Sequence, residues 1–274
     1  MNQKRRRILP GYSLTLGYTM AVLSLMLFLP LAALILRATS LGPKEFLAAV
    51  WTERAKAAYT LTITTSFAAA VLDTLLGLLL AWVLVRYEFP GKRLCDSLID
   101  LPFALPTAVA GLVYSNLYVQ KGWFGRYLVP LGFQGAYSQT AIVLVLAFIG
   151  LPFVVRTVQP VLESLDADIE EAAESLGATR WQTFWKVILP ALQPALITGF
   201  ALTFARGLGE YGSVVFVSGN MPFKTEIAAV LVVSRLEEFA YTEATAIALV
   251  LLAGSFVMLA AINGLEWWSR RYAA

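Results

Sequence analysis

The hydrophobic pattern of this chain is dominated by long apolar runs separated by shorter polar stretches. Six runs stand out, at about residues 14–36, 61–85, 98–119, 140–155, 191–217 and 245–265. A helix of about 20 apolar residues spans a hydrocarbon core of about 30 Å. Backbone N–H and C=O groups find no water in that core, so each run must satisfy them internally as a helix. The pattern therefore predicts an all-α integral membrane protein with six transmembrane helices and a single membrane domain over 1–274. The first run follows Lys4-Arg5-Arg6-Arg7 and is longer than the apolar core of a signal peptide, about 7–15 residues, so it reads as an uncleaved span. Between the last two runs, residues 225–236 are apolar at helical spacing but too short to cross, which predicts a re-entrant or surface helix on the external side.

Composition agrees with a bilayer protein. The chain is 58% hydrophobic and 14% charged, with a mean hydropathy of +0.70, where soluble domains run near about 45–50% apolar and about 25% charged. Six spans put both termini on one side, and the Lys4 to Arg7 cluster makes that side the cytoplasm. On that assumption Lys and Arg number 12 inside (4, 5, 6, 7, 86, 92, 93, 156, 180, 186, 270, 271) and 8 outside (37, 44, 54, 56, 121, 126, 224, 235), with Arg206 inside a span. The net charge of +3 lies at the ends of apolar runs and not on one face, which argues against a nucleic-acid partner. There is no His and one Cys, Cys95, so no intrachain disulfide is possible and neither a metal site nor a cofactor is expected. A phosphate-cradling GxxxxGK[ST] loop is missing from the sequence, so ATP is not expected to bind this polypeptide.

The polar segment 162–190 is more ordered than a connection needs to be. Asp166 or Asp168 is placed to cap a helix whose first turn holds Asp168, Glu170 and Glu171, favoured there by the helix dipole. That helix should stop at Gly177, and Thr179 with Gln182 forms a capping-box pattern that restarts a second helix ending against Pro190. Trp181, Phe184, Trp185 and Val187 lie on the second helix. Two short helices with a glycine corner form either a rigid knob for a groove on a partner or a hairpin packed on itself.

The residues Glu171-Ala172-Ala173, three more, Gly177, nine more, then Val187-Ile188-Leu189-Pro190 resemble the EAA loop of ABC-importer permeases, with Val187 at the position of the family's Ile. The resemblance implies a type I ABC importer permease fold. It also implies that Glu171, Ala172, Ala173, Gly177, Leu189 and Pro190 belong to a loop that couples to a separate ATPase dimer. Three further stretches, 100–111 (Asp100-Leu101-Pro102 onward), 153–160 (Phe153-Val154-Val155-Arg156 onward) and 207–212 (Gly207-Leu208-Gly209-Glu210-Tyr211-Gly212), resemble the sulfate/thiosulfate and molybdate permeases. The opening 7–12 and the stretch Arg235-Leu236-Glu237-Glu238-Phe239 are most similar to the T-type sulfate permeases. This resemblance implies import of sulfate or thiosulfate across the bacterial inner membrane. Its implied partners are a sister W-type permease, the ATPase dimer and an extracytoplasmic sulfate-binding protein. The alternatives are a molybdate or tungstate permease and an ion-coupled secondary transporter.

Three features bear on a translocation path. Arg206 and Glu210 are four apart in the fifth run and share a helix face, either lining a conduit for an anion or neutralising each other between helices. Asp73 lies in the second run and is read as an interhelical hydrogen-bonding group. Asp100 is expected near the cytoplasmic mouth, beside Pro102 and Pro106, whose kinks either gate or merely bend the third span.

Overall fold

The computed structural model describes residues 12–272. The Lys4 to Arg7 cluster, the opening motif as far as Gly11, and the side chains of Arg270 and Arg271 lie outside the described residues. In chain order the helices are α1 (Tyr12–Thr39), α2 (Pro43–Val50), α3 (Glu53–Arg86), α4 (Lys92–Ile99), α5 (Leu101–Ala104), α6 (Thr107–Tyr118), α7 (Gly125–Leu128), α8 (Gln139–Glu163), α9 (Ala167–Ser175), α10 (Arg180–Thr183), α11 (Leu189–Leu208), α12 (Val214–Val217), α13 (Ala228–Glu237) and α14 (Tyr241–Tyr272). No strand occurs among the described residues. Among the described residues, five helical stretches are long and apolar enough to cross a membrane: Leu14–Thr39, Glu53–Arg86, Gln139–Glu163, Arg180–Leu208 and Tyr241–Gly264.

Helices α3, α8 and α11 pack on one another and form the centre of the fold. The reason lies in α3, whose buried positions Ala55, Ala58, Thr62, Ser66, Ala69, Asp73, Gly77, Ala81 and Leu84 recur every three or four residues along one face. In lipid there is no hydrophobic gain from joining two apolar helices, so close backbone approach across small residues has to supply the contact. The start of α3 is set by Thr52, whose hydroxyl accepts from the Ala55 amide at 3.1 Å. Ser138 does the same for α8 through the Ala141 amide. Helix α14 packs along α13, α11 and α1, and α1 presents Leu25, Met26, Phe28 and Leu36 outward. Such a surface matches acyl chains and would be a liability in water.

Three departures from the sequence pattern follow from local chemistry. The third apolar run, 98–119, is not one helix but the succession α4, α5 and α6. Leu105 is extended ahead of Pro106 (φ −84°, ψ 132°), as the proline ring demands of the residue before it. At 1.5 Å per residue α6 reaches only about 18 Å, short of a hydrocarbon core. The fifth run, 191–217, breaks after Leu208 into a turn and then α12. The fourth extends beyond 155, because α8 continues through Pro152 and Pro160 to Glu163.

The segment between α8 and α11 matches the expected corner but not the expected ending. Gly177 follows α9 with φ +82°, the left-handed conformation in which a side chain is strained. Its amide donates to the Glu174 carbonyl and that of Ala178 to the Ala173 carbonyl, closing the end of the helix. Thr179 and Gln182 form the capping box. Asp166 occupies the cap position of α9 without a side-chain capping bond. The second arm does not end against Pro190. A π-helical turn, Phe184–Ile188, joins α10 directly to α11, with Pro190 in the first turn of α11. Proline has no N–H to return to the preceding turn, and a π-turn is one way for a helix to absorb that loss and continue.

Candidate functional site

The hairpin formed by α9 and α10 projects an apolar tip. Leu176 is 89% exposed and Trp181 70%. Ile169 and Trp185 are also exposed. Of the predicted coupling residues, Glu171, Ala172 and Gly177 lie on the exposed surface, Ala173 is half-buried, and Leu189 and Pro190 open α11. Trp181, Phe184 and Trp185 pack edge-on or stacked with centroids 5.5–6.1 Å apart, so the second arm is stiffened by its own rings. Ile188 behind them is buried among Ala81, Leu84, Val158 and Leu192. The hairpin is therefore seated on the α3/α8/α11 core with its apolar tip exposed.

Two contacts invisible in the sequence hold it there. Arg86, the last residue of α3, donates through Nη2 to Glu170 Oε1. Trp82, one turn earlier, meets Phe184 edge-on at 5.5 Å.

Arg206 and Glu210 are paired as their spacing predicts, Arg206 Nη2 to Glu210 Oε2 at 2.9 Å, but unequally placed. The Glu210 side chain is 2% exposed and that of Arg206 40%. Glu210 Oε1 also accepts from the Ser213 amide at 3.0 Å and the Ser213 hydroxyl at 3.1 Å. The carboxylate thus closes the turn that interrupts the fifth run between α11 and α12. Gly111 of α6 lies against the Ser213 backbone, and Gly212 against Thr107, so the start of α6 is pressed onto this turn.

Asp100 is not brought to that pair; it belongs to Arg156. The Arg156 guanidinium donates through Nε to Asp100 Oδ1 (2.9 Å) and through Nη2 to Asp100 Oδ2 (2.6 Å). It also reaches Asp96 Oδ1 (2.6 Å), the Asp96 carbonyl (2.9 Å) and Gln159 Oε1 (2.8 Å). Five bonds use all the donors that arginine has. Phe103 meets Phe153 edge-on at 5.1 Å, a second tie of the α4–α5 stretch to α8. Beside this cluster lies a cleft of about 580 Å³ lined by Lys92, Arg93, Asp96, Gln159 and Glu163 among others. In the sequence Arg156 stands as a cytoplasmic-side charge and as part of the 153–160 stretch, with no partner assigned; its place after the apolar Val154-Val155 was the clue that it needed one.

Asp73 does not make the interhelical hydrogen bond expected of it. It is fully buried, and neither carboxylate oxygen bonds a protein group among the described residues. Gly150 approaches it so closely that a Cβ there would collide with Oδ2, and the neighbouring Thr203 hydroxyl donates to the Gly150 carbonyl instead, at 3.1 Å.

At the far end of α3 stands another pair that sequence reasoning missed. Arg54 grips Glu226 with two parallel bonds, Nε to Oε2 at 2.7 Å and Nη2 to Oε1 at 2.6 Å, and the Glu226 side chain is 2% exposed. The Ala228 amide donates to Thr62 Oγ1 at 2.8 Å, so the segment leading into α13 is tied to α3 twice.

Comparison with known proteins places this arrangement. The chain is 47% identical over 261 residues to the sulfate transport system permease protein CysT of Escherichia coli (strain K12), covering 95% of this chain and 94% of that protein. Identity is 51% to the protein of the same name from Synechocystis sp., over 93% of this chain and 89% of the other. Among solved structures, a bacterial alginate ABC transporter in complex with alginate pentasaccharide-bound periplasmic protein superposes with a TM-score of 0.75 at 18% identity, covering 96% of both chains. An amino acid ABC transporter superposes with a TM-score of 0.56 at 23% identity, over 82% of this chain and 98% of that one. At those identities the structures speak for the fold. Residues 73–268 match the family described as binding-protein-dependent transport system inner membrane component, and the chain belongs to that family of multi-pass membrane proteins.

Proposed function

We propose that this chain is one membrane-spanning permease subunit of an ATP-driven importer of sulfate or thiosulfate, with ATP hydrolysis on a separate polypeptide. The observation that carries the mechanism is the hairpin. Its apolar tip is exposed, its corner is set by Gly177, and its second arm runs without a break into α11. An ATPase gripping that tip moves a helix of the core directly. The relatives named sulfate transport system permease protein, alike over nearly the whole chain, supply the substrate class. In this reading both termini and the hairpin face the cytoplasm. A sister W-type permease, an ATPase dimer and an external sulfate-binding protein complete the transporter.

Arg206 then faces the anion. Its charge is opposed by a carboxylate that Ser213 holds in place, so Glu210 is not free to swing away. A pair that is already half-neutralised attracts a dianion without trapping it, and conduction needs entry and release alike. Asp100 and Asp96, closed on Arg156, pin the α4–α5 stretch at the cytoplasmic end of the path.

The test is uptake of radiolabelled sulfate into vesicles carrying the complete transporter, with thiosulfate and molybdate as competitors. ATP-dependent uptake suppressed by thiosulfate is the expected result. Uptake without ATP would overturn the reading in favour of an ion-coupled carrier, and suppression by molybdate alone would move the substrate to that anion. Labelling of Ser175→Cys from the cytoplasmic side only is expected for the orientation.

A further inference from the structure

Both arms of the hairpin end on the same two residues of α3. Trp82 and Arg86 are four apart, hence neighbours on one face of the last turn of that helix. The first arm reaches Arg86 through Glu170. The second reaches Trp82 through Phe184. The Arg86 guanidinium lies over the Trp82 ring at 5.5 Å from its centroid, so charge and ring support each other. Both members of the ion pair are partly shielded, with side chains 26% and 30% exposed.

The geometry differs from what docking alone would require. A partner needs only the tip, which is formed by residues such as Leu176 and Trp181. Arg86, Glu170, Trp82 and Phe184 are only partly exposed, unlike the residues of the tip. What they do is tie the hairpin to a helix that it does not continue into. The covalent routes from the hairpin lead back to α8 and on to α11, whereas α3 is reached through non-covalent contacts, this clasp and the packing of Ile188 with Ala81 and Leu84. Helix α3 is about 51 Å long at 1.5 Å per residue, and its opposite end is held by the Arg54–Glu226 pair. A rod held at one end and pulled at the other tilts.

We propose that Arg86 and Trp82 form a clasp that transmits displacement of the hairpin to α3, so that α3 and α11 move together when the ATPase acts. This rests on the hairpin being the ATPase-docking element. Arg86, Trp82, Glu170 and Phe184 are positioning residues: they touch neither the anion nor the nucleotide.

The clasp is tested in vesicles holding the complete transporter, with uptake, ATP hydrolysis and retention of the ATPase measured side by side. Arg86→Gln and Glu170→Gln are each expected to lower uptake about tenfold, equivalent to about 1.4 kcal/mol in a barrier, while the ATPase stays bound and keeps hydrolysing. The exchanged pair, Arg86→Glu with Glu170→Arg, is expected to recover most of that uptake, the signature of direct coupling between the two positions. Single variants that transport within about twofold of wild type would overturn the clasp, as would an exchanged pair no better than the singles. Shedding of the ATPase by the single variants would also overturn it, because the contact would then shape docking and not transmission. Cross-linking of Ser175→Cys to the ATPase in the otherwise wild-type transporter separates the two claims. Its absence defeats the docking reading itself, whereas its presence with normal uptake by the single variants defeats only the clasp.

Discussion

The two ends of α3 are both closed by arginine–carboxylate pairs, and the pairs are built differently. At the α13 end Arg54 holds Glu226 with two short parallel bonds, and the carboxylate is almost wholly buried. A bond between the Ala228 amide and Thr62 reinforces the junction. At the hairpin end the Arg86–Glu170, Arg156–Asp96 and Arg156–Asp100 pairs have both partners a quarter to a half exposed. Water and salt compete for exposed pairs and leave each worth little, whereas a buried carboxylate stripped of its cation is costly. The α13 end is thus a lock, and the hairpin end a set of individually weaker contacts, shared among several partly exposed pairs. On the proposal that the ATPase docks on the hairpin, the firmer pair stands at the end of α3 away from that docking element.

The largest expected effect strikes the hairpin end. Gly177→Asp places a side chain at φ +82°, at a cost of about 1–2 kcal/mol, and adds charge at the corner of the knob. The variant is expected to reach the membrane at near wild-type level, keep its melting temperature within a few degrees, and lose ATP-dependent uptake. Wild-type uptake with the ATPase attached would return the hairpin to a passive connection. Next comes the lock. Arg54→Ala leaves Glu226 buried without its cation, and thermal unfolding in detergent is expected to show a loss of about 3 kcal/mol. A melting curve unchanged from wild type would erase the contrast between the two ends. Arg206→Ala removes the cation proposed to face the anion and is expected to lower sulfate uptake about tenfold; Glu210, as buried as Glu226, also loses its cation, but the bonds it keeps from Ser213 are expected to hold the melting loss below that of Arg54→Ala. Normal uptake would make the pair structural only. The smallest effect belongs to Asp100→Asn, which weakens one side of a half-exposed cluster that Asp96 still holds; a loss of about 1 kcal/mol or less is expected in the same melting assay. A loss as large as that of Arg54→Ala would place a second lock at the hairpin end.

The hairpin was legible because everything that shapes it is close in sequence. Gly177 needs only its own backbone angle, and the Thr179–Gln182 box closes within four residues. The Arg206–Glu210 pair was legible for the same reason, one helical turn. What the pair does was not, because the bond from Glu210 to Ser213 turns on a helix break that the apolar run from 191 to 217 conceals. Likewise the apolar run 98–119 announces residues that suit a bilayer, yet Pro102 and Pro106 divide it into pieces. Hydropathy averages over a window, and a proline acts at a single peptide.

The sequence by itself determined that this is a helical membrane protein, where its apolar segments lie, and that an ordered two-helix corner stands between the fourth and fifth of them. These follow from transfer free energy and from hydrogen bonds that close within a few residues. Only the tertiary structure decided which charges meet: Arg156 with Asp100 across 56 residues, Arg86 with Glu170 across 84, Arg54 with Glu226 across 172. It also decided that Asp73 has no hydrogen-bond partner among the described residues, with Gly150 bringing the α8 backbone against it and Thr203 bonding elsewhere. An ion pair costs too much to desolvate to form before its surroundings do, so partners this far apart are chosen by the packing of α3, α8 and α11 and not by any local preference of the chain.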